Sequence, residues 1–146
     1  MKNITATYLP REIDSELLDW KNERHHKPLL IRGARQVGKS SAVRQLAKSF
    51  RFFAEVNFER DERLKRIFDG ELSPKRICNE LSAITSIPVI PGDTLIFLDE
   101  IQGCEAAIKS LRFFYEDYPE MHIVAAGSLL EFALRDLSSF GVGRIR

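Results

Sequence analysis

The sequence predicts an α/β fold, a parallel β-sheet with helices layered on both faces. Three observations carry that prediction. Apolar runs without polar alternation occur at residues 28–32, 94–98 and 122–126, the pattern of strands buried on both sides. Segments with apolar residues at helical spacing lie between them. The first run leads directly into a glycine loop and then a helical stretch. A chain that alternates strand and helix in this way folds most simply with right-handed crossovers between parallel strands.

Each element follows from its residues. Residues 11–24 place Ile13, Leu17, Leu18 and Trp20 near helical spacing, which predicts a helix packed on the edge of the sheet. Residues 28–32 read as a buried strand, and 41–48 as a helix with Val43, Leu46 and Ala47 on one face. Residues 52–58 are apolar and then alternating, a further strand. Leu64, Ile67 and Phe68 are spaced for a helix over 60–68, and the mixed charges of 59–63 suit its solvated start. Ser73 before Pro74 is an N-cap followed by proline at the first helical position, opening a helix to about Thr85. Pro88 and Pro91-Gly92-Asp93 form the loop into the strand that begins at Thr94. Residues 105–118 place Ile108, Leu111, Phe114, Tyr115 and Tyr118 on one stripe, and Pro119 ends that helix. A strand over 122–128 and a helix over 129–137 complete the series. The sequence shows no internal repeat and no low-complexity segment.

The glycine loop is Gly33-Ala34-Arg35-Gln36-Val37-Gly38-Lys39-Ser40, followed by Ser41. It fits G-x-x-x-x-G-K-[ST] at every fixed position, in the strand–loop–helix context that the motif requires. The chemistry explains the spelling. Gly33 and Gly38 admit backbone angles that a Cβ forbids. Successive N–H groups can then point inward and, with the positive end of the following helix, favour a phosphate. Lys39 adds a point charge for the β- and γ-phosphates, and the Ser40 hydroxyl is placed to ligate Mg²⁺.

A second motif supports the first. Thr94-Leu95-Ile96-Phe97-Leu98-Asp99-Glu100 is an apolar strand that ends in two acids. Ligands of open α/β sheets bind beyond the carboxyl ends of the strands. Asp99 is then expected beside the loop as a Mg²⁺ holder. Glu100, one residue on, suits polarisation of a water that attacks the γ-phosphate. The plain alternative is a strand that ends in two solvated acids.

Composition narrows the rest. The chain has 146 residues, 44% hydrophobic and 29% charged, enough for one globular domain with a sizeable core. With 22 basic and 21 acidic side chains the formal net charge is +1, so no global field draws it to nucleic acid or an acidic membrane. Cys78 and Cys104 have no CxxC partner and read as free thiols of a reducing compartment. The N-terminus lacks the apolar core of a signal peptide, and no run approaches the length of a membrane span. A cytoplasmic protein is the expectation. Adjacent His25 and His26 lack the spacing of a helical metal site, and His122 is far off in sequence. Phe50-Arg51-Phe52-Phe53 reads as core rather than as a base-stacking platform.

These residues resemble the P-loop ATPases of the AAA+ superfamily. More narrowly, Gly33 to Lys39 and Leu98-Asp99-Glu100-Ile101-Gln102 are similar to the bacterial and archaeal ATPases whose loop reads G-x-R-Q-V-G-K and whose Walker B strand reads L-D-E-I-Q. Ala126-Gly127-Ser128 and Gly143-Arg144 also stand where such proteins carry them. The resemblance covers roughly Leu17 to the C-terminus. It implies a three-layer P-loop NTPase of the ASCE type, with sheet order 5-1-4-3-2, and ATP and Mg²⁺ as cofactors. It implies hydrolysis of ATP to ADP and phosphate. Ser128 would be the sensor of the γ-phosphate, and Arg144 a candidate arginine acting on phosphate in cis or from a neighbouring subunit. Arg35 would contact phosphate or a partner. Against these stand plain readings: Ser128 as a helix cap, and Arg35 and Arg144 as solvated surface charges.

Such proteins continue with another core strand and a separate C-terminal domain. The resemblance therefore implies that residues 1–146 are one ATPase domain, an N-terminal fragment of a longer protein. The sheet would lack its last strand, and an open edge beside the loop-bearing strand could support self-association. Two other functions remain on the page. One is a nucleotide-dependent switch or scaffold with negligible turnover. The other is a small-molecule kinase, which the paired acids and the lack of an arginine-rich lid disfavour. No N-K-x-D guanine motif occurs, so adenine is the expected base. Nothing in this segment points directly to nucleic acid.

Overall fold

The computed structural model describes residues 12–32, 37–127 and 143–145. Helix α1 (Glu12–Asn22) precedes strand β1 (Leu29–Arg32), and α2 (Val37–Ala47) precedes β2 (Phe52–Asn57). A 3₁₀ segment (Glu62–Phe68) leads to α3 (Pro74–Thr85) and β3 (Thr94–Asp99). A short 3₁₀ turn (Ile101–Gly103), α4 (Glu105–Asp117), β4 (His122–Gly127) and β5 (Gly143–Ile145) follow. The strands form one sheet in the order β2-β3-β4-β1-β5, and every neighbouring pair is parallel.

The predicted fold class holds, an α/β sheet in three layers of the P-loop NTPase kind. Alternate side chains of each central strand face opposite helical layers. Leu29, Ile31, Leu95, Phe97, Val124 and Ala126 share one core with Leu17, Trp20, Val43 and Leu46 of α1 and α2. Leu30, Ile96, Leu98, Ile123 and Ala125 share the other with α3, α4 and the 62–68 segment. This double burial explains the unbroken apolar spelling of β3, which is buried at all six positions. Strand β2 lies at an edge, and its half-buried positions explain its alternation.

Four expectations change. The edge beside β1 is not open: Gly143, Arg144 and Ile145 pair with Leu29, Leu30 and Ile31. Those three residues supply the strand that was expected to be missing. Helix α1 lies over a face of the sheet beside α2 rather than on its edge. Leu17 and Trp20 are 0% and 5% exposed and belong to the core on that face. The 62–68 segment is a 3₁₀ helix, capped by Asp61 accepting from the Arg63 backbone N–H. Its three apolar side chains reach the core within seven residues, too few for a long α-helix. Tyr115 and Leu18 sit off their expected stripes and are exposed. The helix expected over 129–137 lies outside the described residues.

The start of β4, the end opposite the loop, carries a buried aromatic cluster. The rings of His26 and His122 stack with centroids 3.7 Å apart, and Trp20 meets both edge-on. His26 Nε2 bonds to the Met121 carbonyl and His122 Nε2 to the Lys21 carbonyl, each at 2.9 Å. A carbonyl only accepts, so both Nε2 atoms carry protons. His122 Nδ1 is left without a partner. Burial pushes the His122 pKa down to about 4, with the neighbouring His26 and Lys21 adding to the fall and the Lys21 carbonyl opposing it. The imidazole is thus neutral in the folded chain.

A folded pKa below the unfolded value means that the unfolded state binds more protons as pH drops. His122 then contributes stability that is complete above about pH 6.5 and lost as pH falls towards 4, by roughly 3 kcal/mol in all. Denaturant melts from pH 7 to pH 4 should show this slope in wild type and lose that share in His122→Phe. Equal slopes would place the acid sensitivity elsewhere.

Candidate functional site

Because all strands run the same way, their carboxyl ends gather on one edge of the sheet. Arg32 of β1 is level with Gly127 of β4, and Leu98 of β3 with Ala125. Asp99 is level with Asn57 of β2. Strand β4 lies between β1 and β3, which sets those two strands about 9–10 Å apart. Four residues after β1 ends, α2 begins at Val37, so Lys39 and Ser40 fall on its first turn. The strand–loop–helix order and the acidic strand end therefore meet at one edge. Gly33, Ala34, Arg35, Gln36 and Ser128 lie outside the described residues. Ser40 and Ser41 are half-buried in α2. Arg144 stands opposite Leu30, two positions before β1 ends.

The acidic pair is unusual in its backbone. Glu100 has φ 53° and ψ 46°, a left-handed conformation that costs an ordinary residue about 1–2 kcal/mol. This turn lets the Glu100 N–H donate to its neighbour, Asp99 Oδ1, at 2.9 Å. Both acids are only 9% exposed. The Glu100 carboxylate accepts from Gln102 Nε2 at 2.8 Å. Behind the pair the chain is tied down: the Phe58 N–H donates to the Asp99 carbonyl at 3.1 Å, and the Gly103 N–H to the Glu100 carbonyl at 3.0 Å.

Burial raises the Asp99 pKa, and the negative charges of Glu100 and Glu55 raise it further. The Glu100 N–H and Arg44 oppose the rise. Arg44 lies one turn beyond Ser40 on α2, and its guanidinium pairs with Glu55 of β2 at 2.7 Å. An inward-facing carboxylate, raised by burial and by two like charges, is a site that gains from a cation. The donors here are hard oxygens, which suit Mg²⁺ better than a soft metal. Asp99 and the Ser40 hydroxyl are the residues that could hold it.

The family comparison agrees with this geometry. A family model described as AAA domain matches residues 25–146. The chain belongs to the AAA domain family. The match spans β1, α2, β3, β4 and β5, so it includes the whole edge just described. AAA domains in general bind ATP, usually with Mg²⁺. A search of the curated proteins found no match. Among the described residues, no helix is long and apolar enough to cross a membrane.

Three features of this AAA domain escaped the sequence: the left-handed Glu100, the Gln102 hydrogen bond and the Arg44–Glu55 pair. Only Gln102 carried a signal, as the last residue of the Leu98 to Gln102 motif. Cys78 and Cys104 are free and buried, and burial pushes the Cys78 thiol up to about 12. Phe50 is core, packed with the α1–α2 layer.

The strain at Glu100 has a measurable cost. Glu100→Gly removes the Cβ penalty and one of two adjacent buried carboxylates. It should stabilise the fold by about 1 kcal/mol, or raise Tm by roughly 2–4 °C. A lower Tm would mean that the Gln102 hydrogen bond outweighs the strain.

Proposed function

We propose that residues 1–146 form one ATPase domain, of the bacterial and archaeal kind with a G-x-R-Q-V-G-K loop, that binds MgATP and hydrolyses it to ADP and phosphate. The observation that carries the reading is the Asp99–Glu100 pair, buried on the same sheet edge as the start of α2 in a chain of the AAA domain family. Two adjacent carboxylates under burial favour a bound cation, which offsets their mutual repulsion. The strained backbone at Glu100 points the same way, since such strain gathers at functional sites.

The roles follow from chemistry. The N–H groups of Gly33, Ala34, Arg35, Gln36, Val37 and Gly38 cradle the phosphates, with Lys39 as the point charge. Ser41 extends that cradle at the helix N-terminus. Ser40 and Asp99 hold Mg²⁺, which when bound neutralises charge on the β- and γ-phosphate oxygens. Glu100 orients the attacking water and takes its proton as oxygen bonds to the γ-phosphorus. The bond from that phosphorus to the bridging oxygen breaks, and ADP leaves with the electron pair. Ser128, following β4, reads the γ-phosphate, and Arg144 is the candidate arginine for phosphate.

Calorimetric titration tests the binding half. Lys39→Ala should abolish measurable MgATP binding while the fold persists by circular dichroism; wild-type affinity in that variant would count against the site. Phosphate release tests the catalytic half. Glu100→Gln should bind MgATP within about threefold of wild type and lose turnover by roughly 10²–10⁴, the usual worth of a general base. Unchanged turnover would remove Glu100 from the base role. Binding without turnover in wild type would instead favour a nucleotide-dependent switch.

A further inference from the structure

Gln102 is half-buried on the 3₁₀ turn that follows β3, and each end of its amide lies against a neighbour. The nitrogen donates to Glu100 Oε1 at 2.8 Å. A carboxylate offers only lone pairs, so the amide nitrogen must be the end that faces it. The amide oxygen lies against Gly127, the last residue of β4, so closely that a Cβ added there would collide with it. The backbone beneath is fixed by the Gly103 N–H to Glu100 carbonyl and Cys104 N–H to Ile101 carbonyl bonds, at 3.0 and 2.9 Å. Ile101, between the two residues, is fully buried.

We propose that Gln102 is a positioning residue for Glu100: its amide is a latch seated on Gly127 that holds the Glu100 carboxylate in its working orientation. This rests on the hydrolytic role of Glu100 proposed above. A glutamate side chain has three rotatable bonds, and a general base must meet its water in one geometry. The latch removes that freedom. It also links two strand ends, because the amide touches β4 at the residue immediately before Ser128. A shift of the β4 tip then moves the seat of Gln102 and, through it, Glu100. Gly127 belongs to the device, since any side chain there would displace the amide.

The test uses the full chain and measures steady-state phosphate release from MgATP, with binding by calorimetry. Gln102→Met keeps the length and removes the donor. It should lower kcat roughly 10- to 100-fold, the scale of a small misplacement of a reacting group. KM and Kd for MgATP should stay within about twofold of wild type, as an effect confined to orientation requires. Gly127→Ala should reproduce that loss by pushing the amide aside. In the double variant the two losses should not add, because both break one contact. Gln102→Glu can donate only when protonated, so its kcat relative to wild type should rise as pH falls, a response that a merely structural residue would not give. Wild-type kcat in Gln102→Met, additive losses in the double variant, or a flat relative pH profile for Gln102→Glu would each overturn the latch while leaving the hydrolytic reading intact. A wild-type chain that binds MgATP and releases no phosphate would overturn both.

Discussion

The molecule depends on β4 lying between β1 and β3. That one placement makes two strands, distant in sequence, present their carboxyl ends on one edge at a fixed separation. Parallel pairing does the rest, because register alone then decides which residues are level. Arg32 with Gly127, and Asp99 with Asn57, leave no freedom for the acidic pair to sit deeper or higher. An antiparallel neighbour would have sent one of these ends to the opposite side of the sheet. The position of the acidic pair thus follows from sheet order, with β4 paired to β1 on one side and β3 on the other.

The two cores share the cost of that order. Each central strand contributes to both, so neither layer of helices can be lost without stripping one face of β1, β3 and β4. At the far end of β4 the stacked histidines close the sheet with aromatic surface, and burial keeps the His122 imidazole neutral. The acidic pair lies at the other end, beyond the apolar run of β3. There the fold holds a left-handed glutamate and a carboxyl raised by burial.

Much of this was legible in the sequence. Thr94 to Leu98 spelled a doubly buried strand, and Ser73-Pro74 spelled a helix start, because each depends on local rules. Ser73 indeed accepts from the Arg76 N–H. The motifs pointed to the sheet edge at which β3 ends in Asp99. What failed to show depends on partners distant in sequence or on backbone angles. Gly143 to Ile145 has no strand pattern and is a strand only because β1 offers it an edge. Helix α1 has a weak stripe, and which surface it covers was decided by α2. His26 and His122 are nearly a hundred residues apart, so their stacking had no sequence signal. The backbone of Glu100 was hidden because glutamate seldom turns left-handed.

Strand β5 gives β1 a parallel neighbour on its second side. In a parallel sheet successive amides along a strand point to alternate neighbours. Half of the β1 amides are therefore held by β4, which continues into a broad sheet, and half by a pairing three residues long. The strand that leads into the glycine loop is thus held from both flanks, by residues far apart in the chain. Sliding β1 along its axis would have to break both pairings at once, so two separate registers fix the level of its carboxyl end.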